Sequence, residues 1–514
     1  MSSAEGTMGI MTSPSPGRLG ARELIDTVLD PGSFATWDHA VARRSDLEPG
    51  YRAELELAQS RAGTDEAVLT GTGTIRGHRV AVLASEFAFL AGSIGIDAAE
   101  RIVAAIRRAT AERLPLLAAP ASGGTRMQEG TAAFVQMVRI TEAITSHKGA
   151  CLPYLVYLRH PTTGGVFASW GSLGHVTVGE PAALVGFLGP KVYQALYRQP
   201  FPAGVQTSEN LAAHGLIDAV LAPDRLPEIA SRALNVLAAR GTGPADIPAE
   251  GEVEQPEVDA WTAIARTRDP QRPGVRELLR FAATDVVPLS GTGQGEAGAG
   301  LQLALARFSG VPCVVLGQDR ASQTSRSPLG PAALRVARRG MRLAGDLELP
   351  LVSVIDTPGA ALSKEAEEGG LASEIARCMA DLVLLPAPTV CVLLGQGSGG
   401  GAMALLPADR VIAARHSWLS PLPPEGASAI RHGGDVGHAA EIAAAQGVRA
   451  IDLRRIGIVD RIVAEYDDAA HEPAAFSRRV GAVIAQEAAG LAGEEFSATA
   501  GRPARRAGRY SFAE

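Results

Sequence analysis

Two short glycine-bearing stretches occur in each half of this 514-residue chain, in the same order. In the N-terminal half the apolar run Leu114–Pro120 leads into Ser122-Gly123-Gly124-Thr125-Arg126-Met127-Gln128-Glu129-Gly130. Further on, another apolar run leads into Pro161-Thr162-Thr163-Gly164-Gly165-Val166. In the C-terminal half Leu349–Ile355 runs into Asp356-Thr357-Pro358-Gly359-Ala360, and Val390–Leu394 into Gly395-Gln396-Gly397-Ser398-Gly399-Gly400-Gly401. Each pair offers backbone N–H groups at two strand-to-helix corners, the arrangement that holds a developing oxyanion. A single Gly-Gly of this kind also serves tight packing of helix on sheet. Four corners in matched order point instead to a duplicated scaffold with one anion-holding site per half.

The remaining motifs narrow the chemistry. Gly395–Gly400 formally satisfies G-x-G-x-x-G, but it lies deep within an α/β half and Asp409 comes too early for the ribose-binding acid of a dinucleotide fold. No G-x-x-x-x-G-K-[ST] is present, which excludes a P-loop. Ser122 and Ser398 do not sit in G-x-S-x-G. His78, His147, His160, His175, His214, His416 and His432 are scattered without H-x-x-x-H spacing, and each reads as a surface or satisfied structural histidine. Glu129 and Glu425 follow glycine or proline turns, where acid–base work and bracing of a helix start are both open. Cys151, Cys313, Cys378 and Cys391 form no C-x-x-C pair, so no zinc ribbon is expected. These residues therefore imply neither a metal nor a covalent intermediate.

Corners of this kind need alternating strands and helices to position them, and the chain supplies the pattern. From Val68 the chain reads as Ile75–Ser85 strand, Ala98–Arg113 helix, Leu114–Ala119 strand, Ala132–Lys148 helix and Tyr154–Arg159 strand. After residue 273 alternation resumes with strands over Gly300–Ala306 and Val311–Gly317, a helix over Pro331–Leu347, strand Leu351–Ile355, a helix near Leu371–Leu382 and strand Val390–Leu394. Residues 21–60 look helical and 1–20, rich in Ser, Pro and Gly, look disordered. Residues 239–273 read as a linker between an N-terminal domain (21–238) and a C-terminal one (274–514). Hydrophobic content of 46% and a net charge of −7 suit a globular protein and argue against nucleic acid. Lysine occurs only at 148, 191 and 364, so the positive charge is carried by arginine. The most apolar stretch, Leu382–Leu394, is interrupted by Pro386 and Pro388 and is too short to span a membrane, and no secretory signal is evident. A cytoplasmic location is the expectation.

The chain also resembles a known family at these residues. Glu86–Gly95, Ser122–Gly130, Pro161–Ser169, Gly186-Phe187-Leu188-Gly189-Pro190 and Ser208–Asp218 resemble the β subunit of bacterial acetyl-CoA carboxylase carboxyltransferase. Arg266–Pro273, Asp356–Ala360, Gly395–Ala402 and Ser420–Ile430 resemble its α subunit, so the two look fused in β-then-α order. The resemblance implies an α/β fold of two tandem crotonase-like ββα-spiral domains. It implies transfer of CO2 from carboxybiotin, carried on a separate biotin carrier protein, to the α-carbon of an acyl-CoA such as acetyl-CoA. Biotin supplies the base in that scheme, and the protein holds oxygen atoms with aimed N–H groups. It places Gly123, Gly124, Gly164 and Gly165 at the thioester oxygen, and Gly359, Ala360, Gly399 and Gly400 on the biotin side. Gly92, Ser93, Arg126, Gly189, Glu425 and Gly426 are the implied CoA and biotin contacts, with the arginine-rich region Arg320–Arg342 a further candidate for CoA phosphates. Biotin carboxylase and biotin carboxyl carrier protein are implied partners, and a homodimer or larger assembly is expected.

Three departures stand out. The four-cysteine zinc ribbon that usually begins the β family is absent, so no zinc is expected. Ala361-Leu362-Ser363 follows D-T-P-G-A where the α family has an aromatic and a proline, and Ser420–Gly426 carries an insertion. The reshaped biotin side keeps two alternatives in play: a decarboxylase or biotin-independent carboxyl-transfer relative, and a non-catalytic acyl-CoA-binding scaffold.

Overall fold

A computed structural model describes residues 18–41, 47–239, 256–324, 327–493 and 501–511. Two compact units emerge: one from the N-terminus to Asn210 with Val220–Ala230, the other Leu211–Ala219 with Ser231 to the C-terminus. The fold is mixed α/β, with one large sheet per unit.

The first sheet runs in the order β1 (Ala35–Thr36), β2 (Val68–Ile75), β3 (His78–Ser85), β4 (Leu116–Ala119), β5 (Tyr154–Leu158), β7 (Val176–Gly179) and β9 (Ala219–Val220). β6 (Thr162–Thr163) and β8 (Val185–Gly186) form a separate parallel pair. The run read as one strand from Ile75 is split by a turn at Arg76-Gly77, both at positive φ, that folds β2 back on β3. From β3 to β7 all pairing is parallel. Their side chains are buried on both faces, which is why they read as continuous apolar runs. Residues 21–60 are not one helical stretch: helices Ala21–Val28 and Pro49–Ala62 flank β1. Of the expected disordered tail, 1–17 lies outside the described residues, while Arg18 and Leu19 are held by Ala182 and Arg159.

The second sheet runs β10 (Ala283–Leu289), β11 (Leu301–Phe308), β12 (Val311–Gln318), β13 (Leu351–Thr357), β14 (Thr389–Ser398), β15 (Arg410–Ala414) and β17 (Arg461–Val463), with β16 (Trp418–Ser420) pairing the far end of β14. β10–β12 are antiparallel and the rest parallel. Helices Val275–Ala282 and Pro473–Ala492 cover one face through Leu278, Phe476, Val480 and Ile484, packed on Phe308, Val354 and Val392. Part of the expected linker lies outside the described residues, but from 256 onward it is folded into this unit. Helix Ala260–Thr267 packs Ile264 on Trp418, and Arg272 is buried. A long-range docking partner, invisible to local composition, turns the described part of that stretch, 256–273, into core.

Candidate active site

Within each unit the two glycine corners meet. In the first, Ser122 pairs with Thr162 in a parallel bridge, and a Cβ built on Gly124 would lie 3.6 Å from the Thr163 carbonyl and 4.0 Å from the Gly165 nitrogen. In the second, Thr357 pairs with Gly397, and a Cβ on Gly401 would lie 3.2 Å from the Ala360 nitrogen. The correspondence extends to backbone angles. Gly164 and Gly399 both have φ +61°, while Gly124 and Gly359 have φ +113° and +140°, values that side-chain-bearing residues rarely adopt.

Hydroxyl groups shape the first corner of each pair identically. Gly124 N–H donates to Ser122 Oγ (3.0 Å) and Gly359 N–H to Thr357 Oγ1 (3.1 Å). These turns decide which N–H groups are open. Besides the engaged Gly124, Gly123 N–H is taken by the Ala91 carbonyl (2.9 Å) and Gly164 N–H by that of Phe187 (2.8 Å). Three of the four glycines expected to act as donors in this half therefore have their N–H already bonded. The neighbouring positions are different. Ile94 N–H bonds the Gly124 carbonyl and Arg126 N–H the Ile94 carbonyl, each at 3.0 Å, which turns the Thr125 N–H to the opposite side of that short strand. Gly165 is the second residue of helix Gly164–Phe167, where no helical carbonyl is in reach. Ala361 N–H bonds the Leu329 carbonyl (2.9 Å), which leaves Ala360 in the place of Thr125, and Gly400 is second in helix Gly399–Met403, in the place of Gly165. Thr125 is the residue that a search for glycines misses. Its only signal is its alignment with Ala360, one position after the turn glycine.

Arg126 is not a surface cation. Its side chain is fully buried, with Nη1 3.1 Å from Glu66 and Nη2 also on Glu66, and Nη2 donates to the Ser93 carbonyl (2.8 Å). Burial disfavours the charge, but the Glu66 carboxylate outweighs it and raises the guanidinium pKa. Arg126 thus has no free face for a CoA phosphate. Its role is to clamp the Ser93–Ile94 ridge to the corner. Glu129 braces the same ridge, accepting from Ile96 N–H (2.6 Å) and Tyr51 Oη (2.5 Å). Gly92 lies so close to the Ala121 carbonyl that a Cβ there would sit 2.0 Å away. Gly189 caps helix Pro190–Tyr197 in open space. Glu425 pairs with Arg268 (2.6 Å) beside Gly426 in helix Pro424–Arg431. In the arginine-rich region, Arg320 holds the Thr267 and Arg272 carbonyls, Arg335 and Arg338 share Glu374, and Arg339 pairs with Asp218. These four are structural ties.

A model of the carboxyl transferase domain matches residues 13–499. The chain belongs to the carboxyl transferase domain family. It is 60% identical over 471 residues, 91% of this chain and 94% of the relative, to the probable biotin-dependent acyl-coenzyme A carboxylase beta3 subunit of Mycobacterium tuberculosis (strain ATCC 25618 / H37Rv). It is 36% identical over 496 residues, 91% of this chain and 86% of the relative, to the acetyl-coenzyme A carboxylase carboxyl transferase subunits beta/alpha of Salinispora arenicola. Among solved structures the transcarboxylase 12S hexamer core superposes with a TM-score of 0.73 over 93% of this chain and 90% of that one, at 22% identity, a likeness of fold.

In this carboxyl transferase domain the second pair of corners rests on a β-bulge. Ile355 pairs with Leu393 but Thr357 with Gly397, so the backbone of β14 gains two residues between them. Buried charges take up the freed groups: Gln396 N–H donates to Asp356 Oδ1 (3.1 Å), and Arg272 donates to the Leu394 carbonyl (3.1 Å). Arg272 also forks onto Glu465 with two 2.7 Å bonds. Burial opposes the Glu465 charge, yet Arg272 holds its carboxyl well below the usual range. His416 Nε2 accepts from Arg266 (3.0 Å), so its proton sits on Nδ1, against Glu465 at 2.9 Å. The histidine thus ties Arg266 to Glu465. His147, His160 and His175 are bound to backbone groups.

Proposed function

We propose that this chain is the cytoplasmic carboxyltransferase component of a biotin-dependent acyl-CoA carboxylase, built as β-like and α-like tandem crotonase-like halves. Acetyl-CoA is the first acceptor to test and propionyl-CoA the second. One observation carries the reading: where two corners meet, each unit presents a pair of N–H groups with no backbone partner shown among the described residues, Thr125 with Gly165 and Ala360 with Gly400. Two oxygen-holding sites are what transfer between two carbonyl-bearing molecules requires. The names of the relatives from Mycobacterium and Salinispora support the same class.

On this reading Thr125 and Gly165 hold the thioester oxygen as negative charge develops after loss of the α-proton. Each such donor is worth about 3 kcal/mol of the barrier. Ala360 and Gly400 hold the ureido oxygen of biotin, and the unpartnered Ser398 hydroxyl beside them fits a ligand bearing a carbonyl. Biotin, delivered by a carrier protein and loaded by a biotin carboxylase, brings the carboxyl group and the base. The chain needs no basic side chain at the corners, and the bracing roles of His147, His160, His175, His416 and Glu129 agree with that. Self-association is part of the proposal, in line with the hexamer of transcarboxylase 12S.

Malonyl-CoA and methylmalonyl-CoA labelled in the free carboxyl group, incubated with the protein and free biotin, test the reading. Label loss that requires biotin is expected. Label loss at the same rate without biotin overturns it in favour of a biotin-independent decarboxylase, and CoA binding without turnover in favour of a scaffold.

A further inference from the structure

Ser398 ends β14 and caps helix Gly399–Met403, yet its hydroxyl makes no capping bond. It is fully buried and has no hydrogen-bond partner among the described residues. A buried hydroxyl left unpaired costs free energy, and such groups recur where a partner arrives later. The first unit shows what a satisfied equivalent looks like. Thr163 caps helix Gly164–Phe167 at the matching place, and its hydroxyl is 3.4 Å from the Ser122 carbonyl.

The space beside the hydroxyl differs in the same sense. A Cβ built on Gly124 meets the backbone of Thr163, Gly164 and Gly165. One built on Gly359 meets a single heavy atom within 4 Å, Ser398 Oγ at 3.9 Å. Apart from the chain neighbours of Gly359, the hydroxyl is therefore the group that borders this side of the corner. It can rotate to donate, and a carbonyl-type oxygen is an acceptor it suits.

We propose that Ser398 is a third donor on the C-terminal-half corner, its hydroxyl bonding the urea-type oxygen that the Ala360 and Gly400 N–H groups hold. The assignment rests on the biotin reading above. It makes the two sites chemically unequal: two backbone donors for the thioester oxygen, three donors for the urea oxygen, which takes up negative charge when CO2 leaves the ring nitrogen.

Full-length protein carrying Ser398→Ala or Ser398→Thr tests this through binding, stability and turnover. Free biotin and 2-imidazolidinone, the bare cyclic urea, serve as probes by calorimetry or ligand-observed NMR, with acyl-CoA as the control. Ser398→Ala is expected to weaken both urea probes about tenfold and slow biotin-dependent label loss about 10- to 100-fold. Acyl-CoA affinity should stay unchanged and the melting temperature level or higher, because an unsatisfied group has been removed. Ser398→Thr should retain most of the urea affinity. Unchanged urea binding and turnover in Ser398→Ala overturns the assignment. So does a variant that melts earlier or fails to fold, since the hydroxyl is then structural. If the wild type neither binds the urea probes nor requires biotin, the biotin reading itself fails and takes the ureido ligand with it.

Discussion

The two glycine sites share a backbone plan and differ in how they are anchored. In the first unit the anchoring cation belongs to the corner: Arg126 sits in the corner segment itself and reaches back 60 residues to Glu66 and 33 to Ser93. In the second, the corner borrows its anchor from distant segments. Arg272, from the stretch ahead of the sheet, joins Glu465 near its far edge to a bulged strand between them. A corner that carries its own cation depends on one buried guanidinium, held by Glu66 and, at 3.5 Å, by Glu129. A corner supported by a bulge depends on a network whose members each satisfy a different backbone group.

The ion pairs provide the largest test of that contrast. Glu66→Ala leaves Arg126 buried with only the longer 3.5 Å contact to Glu129 as counter-charge and is expected to cost about 3 kcal/mol of stability. Glu465→Ala strands Arg272 to a similar degree but also frees the His416 and bulge contacts. Denaturant unfolding of both variants, with Glu66→Gln and Glu465→Gln beside them, measures the difference. The Gln forms should recover more in the first unit, where fewer backbone groups depend on the carboxylate. Equal recovery would mean that the bulge network adds nothing to the pair.

Next in size are the open donors. Gly165→Val drives a side chain toward Thr125 Oγ1 (3.2 Å from the Cβ) and Met137, and Gly400→Val toward Ile375 (2.8 Å). Each is expected to lower turnover by about 10²–10³-fold, with opposite binding defects: acyl-CoA lost in the first and urea probes in the second. If both variants lose the same ligand, the division of labour between the corners is wrong.

The paired glycine corners were legible, because turn glycines at positive φ leave a local signature in the sequence. Helix Pro331–Leu347 was equally plain, opening on a proline at its first position. What failed to show was anything that depended on a distant partner. Arg126 reads as a phosphate ligand until Glu66, 60 residues away, is seen to bury it. Residues 256–273 read as linker until Glu425 and Glu465 are found to hold Arg268 and Arg272. Thr125 escaped because its side chain is irrelevant to its role, and only the register of the backbone reveals its N–H.

The second unit also contrasts two buried carboxylates by pH. Burial raises the pKa of each, but at Asp409 the Arg506 guanidinium reverses the effect and the pKa is lowered from 3.8. At Asp356 burial prevails and the pKa is raised from 3.8. A depressed carboxylate stabilises the fold above its unfolded pKa and loses that contribution as pH falls through the folded value. A raised one contributes fully below its unfolded pKa and loses its contribution as pH rises through the folded value. Asp409→Asn, which leaves Arg502 and Arg506 short of charge, should cost about 3 kcal/mol at pH 7 and flatten the loss of stability below pH 3.8. Asp356→Asn keeps an oxygen for Gln396 N–H and should be close to neutral at pH 7. Urea unfolding at a series of pH values separates them, and parallel curves for the two variants would contradict the assignment.

The smallest effects return to the turns that set the corners. Ser122→Ala removes the acceptor for Gly124 N–H, and Thr357→Val the acceptor for Gly359 N–H. Each lost bond is worth about 1 kcal/mol. Thr357 has a second attachment that Ser122 lacks, a 2.7 Å bond to Gln323, which itself reaches the Asp356 and Gly300 carbonyls. Thr357→Val therefore unties the corner from the loop ahead of it as well, and should lose more than Ser122→Ala, in thermal stability and in affinity for the urea probes. Ser122→Ala should move acyl-CoA affinity alone. Gln323→Leu provides the control: if the Thr357–Gln323 bond accounts for the excess, Thr357→Val and Gln323→Leu together cost less than the sum of the two. An additive pair would place the excess elsewhere and leave the two turns equivalent.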